Sequence, residues 1–215
     1  MSEKRTMVVT ISRQMASGGA YIGHLLARTL GYKYVEREIL HIAARELGVD
    51  ISELSRLDER HAGFVENLMK SFVFGAPEAA YVPPSRRAVY DKELFETESR
   101  IMAEIANQYN AVIVGRGGYF VLRNGPAVVN VFIHAPMDFR VKRLQQFHEI
   151  SKEQAREEIE NSDRMREKFL RTMTDTERYD ARNYHLCLDA EAVGIEAAVR
   201  MIIGLVEKKK HGHGG

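Results

Sequence analysis

The chain has 215 residues, 45% hydrophobic and 28% charged, with a formal net charge of +1. That length allows one α/β domain with a well-buried core and leaves little room for a second full domain. The near-zero charge excludes a global field for nucleic acid or membrane, so any basic site must be local.

Met7 to Leu30 opens the pattern: a β-branched run from Val8 to Ile11, a small-residue turn at Ala16-Ser17-Gly18-Gly19-Ala20, then Ile22, Leu25, Leu26 and Leu30 at helical spacing. A strand, a glycine loop and a helix in that order suit phosphate, because the backbone can approach an anion while N–H groups and the helix dipole point at it. The usual loop motif, G-x-x-x-x-G-K-[ST], is not intact. Aligned on Gly18, its first glycine is Arg13, its lysine is Gly19 and the hydroxyl residue after it is Ala20. Arg13 could supply the missing charge from the other side of the turn, as a wider, planar donor. The competing reading is a tight strand-to-helix turn with no ligand.

Gly31 closes the helix, and Tyr32 to Val35 reads as a second strand ending at Glu36. Glu36, at a strand end beside the loop, is a candidate for substrate or magnesium. The acidic first turn of the next helix, Glu38 included, suits the dipole without any ligand. Apolar spacing predicts helices from Glu36 to Leu47, around Leu54 and Leu57, and from His61 to Phe74. The stretch from Ala76 to Arg87, with three prolines, reads as a loop. This insertion, 49–90, could form a substrate-closing flap, or a homodimer contact through the 61–74 helix, which is apolar on more than one side.

A long helix is predicted from Asp91 to Tyr109. The apolar strand Ala111 to Val114 follows and runs straight into Gly115-Arg116-Gly117-Gly118. An arginine between glycines at the end of a central strand falls in the crevice where open α/β sheets bind ligands. Val128 to Ile133 is the next strand, and the helix after it carries Arg140, Lys142 and Arg143. Cations near a helix start call for compensation; the alternative is that they are simply solvated. Ser151 and Gln154 resemble a capping box, and Ser151 to Met173 reads as two charged helices with few apolar residues. Loaded with Arg156, Arg164, Arg166 and Arg171, this pair has the character of a mobile lid over a polyanion.

Tyr184 to Asp189 gives a fifth strand and Ile195 to Val206 a closing helix, followed by a basic tail containing His211 and His213. The single cysteine, Cys187, excludes an internal disulfide and reads as a buried thiol in a reducing cytoplasm. The opening residues lack the apolar core of a signal peptide, and no stretch approaches the ~20 apolar residues of a membrane span. Five strands alternating with helices predict a three-layer α/β fold with a five-stranded parallel sheet in a single domain over 1–215, with a helical insertion and an arginine-rich lid at 151–175. The first loop, Arg116 and the arginine-rich segment would then meet along one edge. Phosphoryl transfer needs those parts: phosphates held in line and their charge neutralised by cations.

Nearly the whole chain resembles the cytidylate kinase-like family, a branch of the P-loop nucleoside monophosphate kinases. The residues that carry the resemblance are ISRQMASGG with LARTLGYKYVEREIL; AVIVGRGG, similar to the GRD segment; VFIHAPMDFRVKR; DRMR in the lid; and NYHLCLDAEAVGIEAAV. It implies an ATP-dependent transfer to a CMP-like acceptor, with magnesium accompanying ATP and no protein ligand assigned to it. Ser12, Arg13, Ala16, Ser17, Gly18, Gly19, Ala20 and Tyr21 would lie along the donor phosphates, and Glu36, Arg37, Gly115, Arg116 and Gly117 along the acceptor. Arg140, Arg143, Asp163, Arg164, Arg166 and Arg171 would lie at the lid. Arg13, Arg116, Arg164 and Arg166 are the residues expected to act on the transferring group, while Asp189 is expected to fix local structure. The implied partners are nucleotide substrates, with no specific nucleic acid and no membrane. Relative to the family pattern, the loop lysine is Gly19, the magnesium threonine is Tyr21, the aspartate of the second motif is Glu36 and the GRD aspartate is Gly117. Those departures frame the alternative, a catalytically impaired nucleotide-binding regulatory protein of the same fold.

Overall fold

In the computed structural model the described residues are 6–36, 92–125 and 127–211. The helices predicted between Glu36 and Phe74, the loop at 76–87, Arg37 and the dimer contact at 61–74 lie outside them. Strands β1 (Met7–Arg13), β2 (Lys33–Val35), β3 (Ala111–Val114), β4 (Ala127–His134) and β5 (Leu186–Asp189) form one sheet in the order β2-β3-β1-β4-β5. All four pairings are parallel. The continuous apolar runs are explained by cover on both faces. Val9 and Ile11 pack with α1 (Gly19–Leu30) on one side, while Val8 and Ile113 pack with α2 (Lys92–Gln108) on the other.

The register aligns the carboxyl ends along one edge, with Ile11 opposite Val114 and Arg13 opposite Ile133. β1 lies at the centre with β3 and β4 on either side, so the loop after it opens where the connections diverge, the usual crevice of such sheets. β3 leads into the short α3 (Gly118–Val121), and β4 into α4 (Met137–Gln145).

The arginine-rich segment is one continuous helix, α5 (Lys152–Thr174), and not the predicted pair. No glycine or proline interrupts its 23 residues, and strong helix formers fill it. Both halves of the Ser151/Gln154 capping box are formed. Ala155, Ile159, Ser162, Asp163, Leu170 and Thr174 are its buried residues, a stripe at helical spacing with a carboxylate in its middle.

Two further expectations are corrected. Cys187 is exposed: on the edge strand β5, Leu186 and Leu188 face the α1 side, and the alternating Cys187 points the other way. His211 is not in a free tail but ends the last helix, α7 (Ile195–His211), which follows the short α6 (Ala190–Val193). Asp189 caps α6, accepting from the N–H groups of Glu191 at 2.9 Å and Ala192 at 3.2 Å. None of the helices among the described residues is long and apolar enough to cross a membrane.

Candidate active site

The loop between β1 and α1 is fastened from below. Gln14 donates its backbone N–H to the Ile133 carbonyl at 3.0 Å and accepts at its side-chain oxygen from Ala135 N–H at 3.2 Å. The buried Ser17 hydroxyl donates to the Gln14 carbonyl at 3.0 Å. Ala16, with φ +57°, and Gly18, with φ +90°, turn the chain left-handed twice before the helix begins. An alanine held there costs about 1–2 kcal/mol, strain that the surrounding contacts must hold in place. Met15 supplies much of that hold, buried with Val141 and Leu144 of α4 and Ala155 and Ile159 of α5. Arg143 reaches the loop as well: its guanidinium carbon lies 3.8 Å from where a β-carbon of Gly18 would be.

Above Met15, arginines converge on one carboxylate. Asp163 accepts from Arg140 at 2.6 Å and from the Met15 N–H at 2.9 Å, and Arg178 and Arg166 lie 3.6 and 3.8 Å from it. Arg166 and Arg178 also donate to the carbonyl of Arg13. Arg140 is therefore buried and paired, so the solvated reading does not hold for it; Asp163 provides the compensation that its position in α4 requires. Three guanidinium groups around one carboxylate leave a positive excess where the loop leaves β1.

On the adjacent strand, Gly115, Arg116 and Gly117 have φ of +84°, +54° and +68°, three left-handed residues in succession. The Gly115 N–H bonds to the Ile11 carbonyl at 2.9 Å, tying this turn to β1. Arg116 lies 3.2 Å from Glu98, whose side chain is 1% exposed while that of Arg116 is 27% exposed. Burial pushes the Glu98 carboxyl up, and Arg116 offsets part of that rise. The folded chain thus keeps a proton on Glu98 at pH values where the unfolded chain has released it. Stability is expected to fall as pH rises from about 4.5 through the raised value. Glu98→Gln should flatten that part of the profile; urea unfolding across pH checks it, and an unchanged slope would show that Glu98 is not the titrating group.

Glu36, at the end of β2, accepts from Arg13 at 2.6 Å and from the Tyr34 hydroxyl at 2.5 Å. Ser12, Arg13, Ala16, Ser17, Gly18, Gly19, Ala20, Glu36, Gly115, Arg116, Gly117, Arg140, Arg143, Asp163 and Arg166 thus share one end of the sheet. Tyr21 is half-buried on the first turn of α1. Two predicted residues are not brought into the cluster. Arg164 is on the exposed side of α5, and Arg171 is exposed and paired with Glu177. Arg178, Glu98, Met15 and Tyr34 complete the site without having been singled out in the sequence. Glu98 had a signal, a charge four residues after Leu94 in the apolar stripe of α2; Arg178 lies in a segment with no periodicity.

The family model described as the cytidylate kinase-like family matches residues 8–192. A cytidylate kinase of Methanocaldococcus jannaschii is 22% identical over 95% of this chain and 99% of its own. One from Ignicoccus hospitalis is 26% identical over 91% of this chain and 96% of its own. Among solved structures, an uncharacterized protein from Eubacterium ventriosum superposes with a TM-score of 0.67 at 18% identity, covering 94% of this chain and 99% of that one. A shikimate kinase from Bacteroides thetaiotaomicron does so at 0.51 and 17%, covering 94% and 98%; at such identities the likeness speaks for the fold. With the glycine loop at the end of β1, the arginine turn at the end of β3 and a family match over most of its length, the chain belongs to the cytidylate kinase-like family.

Proposed function

We propose that this protein transfers the γ-phosphate of ATP to a nucleoside monophosphate, CMP-like in class. The observation that supports the reading is that the glycine loop after β1 and Arg116 after β3 follow adjacent strands and are tied together by the Gly115 to Ile11 hydrogen bond. The loop amides and Arg13 hold the donor, and Arg116 holds the acceptor phosphate. An oxygen of that phosphate attacks the γ-phosphorus, the bond to the β,γ-bridging oxygen breaks, and ADP departs. The acceptor is already ionised at neutral pH, so no side chain needs to remove a proton. Charge on the transferring group is met by arginines at the loop, Arg143 and Arg166 among them.

Magnesium enters as part of the ATP substrate, and among the described residues those beside the loop do not suit a protein-held ion: a phenol, Tyr21, stands where the family pattern has its threonine. Ala20 has no hydroxyl, and Glu36 directs one oxygen to Arg13 and the other to Tyr34. A second reading, a nucleotide-binding regulator, is favoured by the engagement of Asp163 with three arginines, which ties up cations that transfer would need. Release of ADP from magnesium-ATP against a panel of nucleoside monophosphates separates the two. Turnover is expected with a pyrimidine monophosphate, CMP foremost. Nucleotide binding without turnover on any acceptor would favour the regulator, and no binding would defeat both.

A further inference from the structure

Arg13 and Gly19 compete for one volume. A β-carbon on Gly19 would lie 2.5 Å from Cβ of Arg13, 3.1 Å from its Cγ and 3.2 Å from Cβ of Ile133, where ordinary contacts begin at 3.4 Å. No side chain, lysine included, fits at position 19 while position 13 carries a β-carbon and the backbone keeps this course. Gly19 is not required by its backbone: it opens α1 and is not among the residues with positive φ. What the position does need is room for the side chain at position 13.

Position 115 is suited to glycine by its own φ of +84°, and the head of Arg13 packs against it. A β-carbon on Gly115 would overlap NH1 of Arg13. From there the guanidinium reaches Glu36 at 2.6 Å through NH2, and Tyr34 steadies Glu36 from its other oxygen. The Arg13 stem therefore crosses the donor loop at Gly19, and its head lies against the acceptor turn at Gly115.

We infer that Arg13 is the donor-phosphate cation of this enzyme, a relocated substitute for the missing lysine, and that Gly19 is the clearance its side chain requires. The inference rests on the kinase reading, because the ligand it assigns to the guanidinium is the terminal phosphate of a nucleoside triphosphate. A planar fork offers paired N–H groups to two phosphate oxygens, where a lysine offers a point charge. Glu36 is the counter-ion that aims the fork from the acceptor side.

Titration with a non-hydrolysable ATP analogue and magnesium tests this in the full chain. Arg13→Gln keeps most of the stem and removes the charge; affinity is expected to fall about tenfold or more, the weight of a charge-assisted hydrogen bond. Gly19→Lys alone should lower both affinity and melting temperature, whereas the double variant Arg13→Gly/Gly19→Lys should recover affinity to within a few-fold of the unaltered protein. Glu36→Gln removes the pair and leaves the cation, so it should bind the analogue at least as tightly. The inference is overturned if Arg13→Gln binds like the unaltered protein, if the double variant binds no better than Arg13→Gly, or if Glu36→Gln loses as much as Arg13→Gln. If the unaltered protein binds no analogue, the kinase reading fails and takes this inference with it; binding that ignores Arg13 defeats the inference alone.

Discussion

Arg116→Ala is expected to weaken the acceptor about 10- to 150-fold, the weight of one charge-assisted hydrogen bond to phosphate, while ATP affinity changes little. The asymmetry follows from geometry, because Arg116 projects from the turn after β3 and the donor loop belongs to β1. The substitution also strips Glu98 of its counter-charge. A buried carboxyl in that position takes up a proton instead of remaining charged, so the fold loses less than a broken buried pair would otherwise cost. Comparing Arg116→Ala with Arg116→Ala/Glu98→Gln removes the orphaned acid from the account. Equal losses in donor and acceptor affinity in both variants would argue against the assigned role.

The largest stability effect is expected at Asp163. Its side chain is 11% exposed and those of Arg140 and Arg178 are 7% and 2% exposed. Asp163→Ala leaves those guanidinium groups facing one another and the Met15 N–H without its acceptor. Breaking a buried pair from one side costs about 3–5 kcal/mol. For a chain of this size that is a fall in melting temperature of roughly 6–20 °C. Asp163→Asn keeps one acceptor oxygen, enough for the Met15 N–H, but sets an amide NH2 against Arg140 where the second carboxylate oxygen was, so it should lie between. A loss below about 1 kcal/mol for the alanine variant would mean that the cluster does not hold α5 to the loop.

The sheet was legible because its strands announce themselves. Val8 to Ile11 is a β-branched run and Ala111 to Val114 a continuous apolar one, as suits strands covered on both faces, and the second runs straight into Gly115. Arg116 was legible for the same reason, through its position after such a strand. The partners of the charged groups were not. Arg13 meets Glu36 across 23 positions and Arg140 meets Asp163 across the same separation, whereas Arg178 reaches Arg13 across 165. Pairings of that kind are set by topology, and periodicity carries no record of them. The unity of α5 was hidden by its low apolar content; burying Ser162, Asp163 and Thr174 in place of hydrophobic residues masks a stripe that is nevertheless regular. Cys187 misled because an apolar run on an edge strand covers one face and leaves the other open.

The burial of Met15 bears on how the loop after β1 and α5 can move. The donor loop and α5 share one apolar cluster, and Asp163 closes over the Met15 amide from the same helix. Lifting α5 would expose Met15 and free that amide together, so the two segments are expected to open as one cooperative unit whose amides exchange with solvent at a common rate. On the kinase reading proposed above, departure of product from the loop is then coupled to departure of the helix packed on it, through a methionine and an aspartate rather than through the arginines.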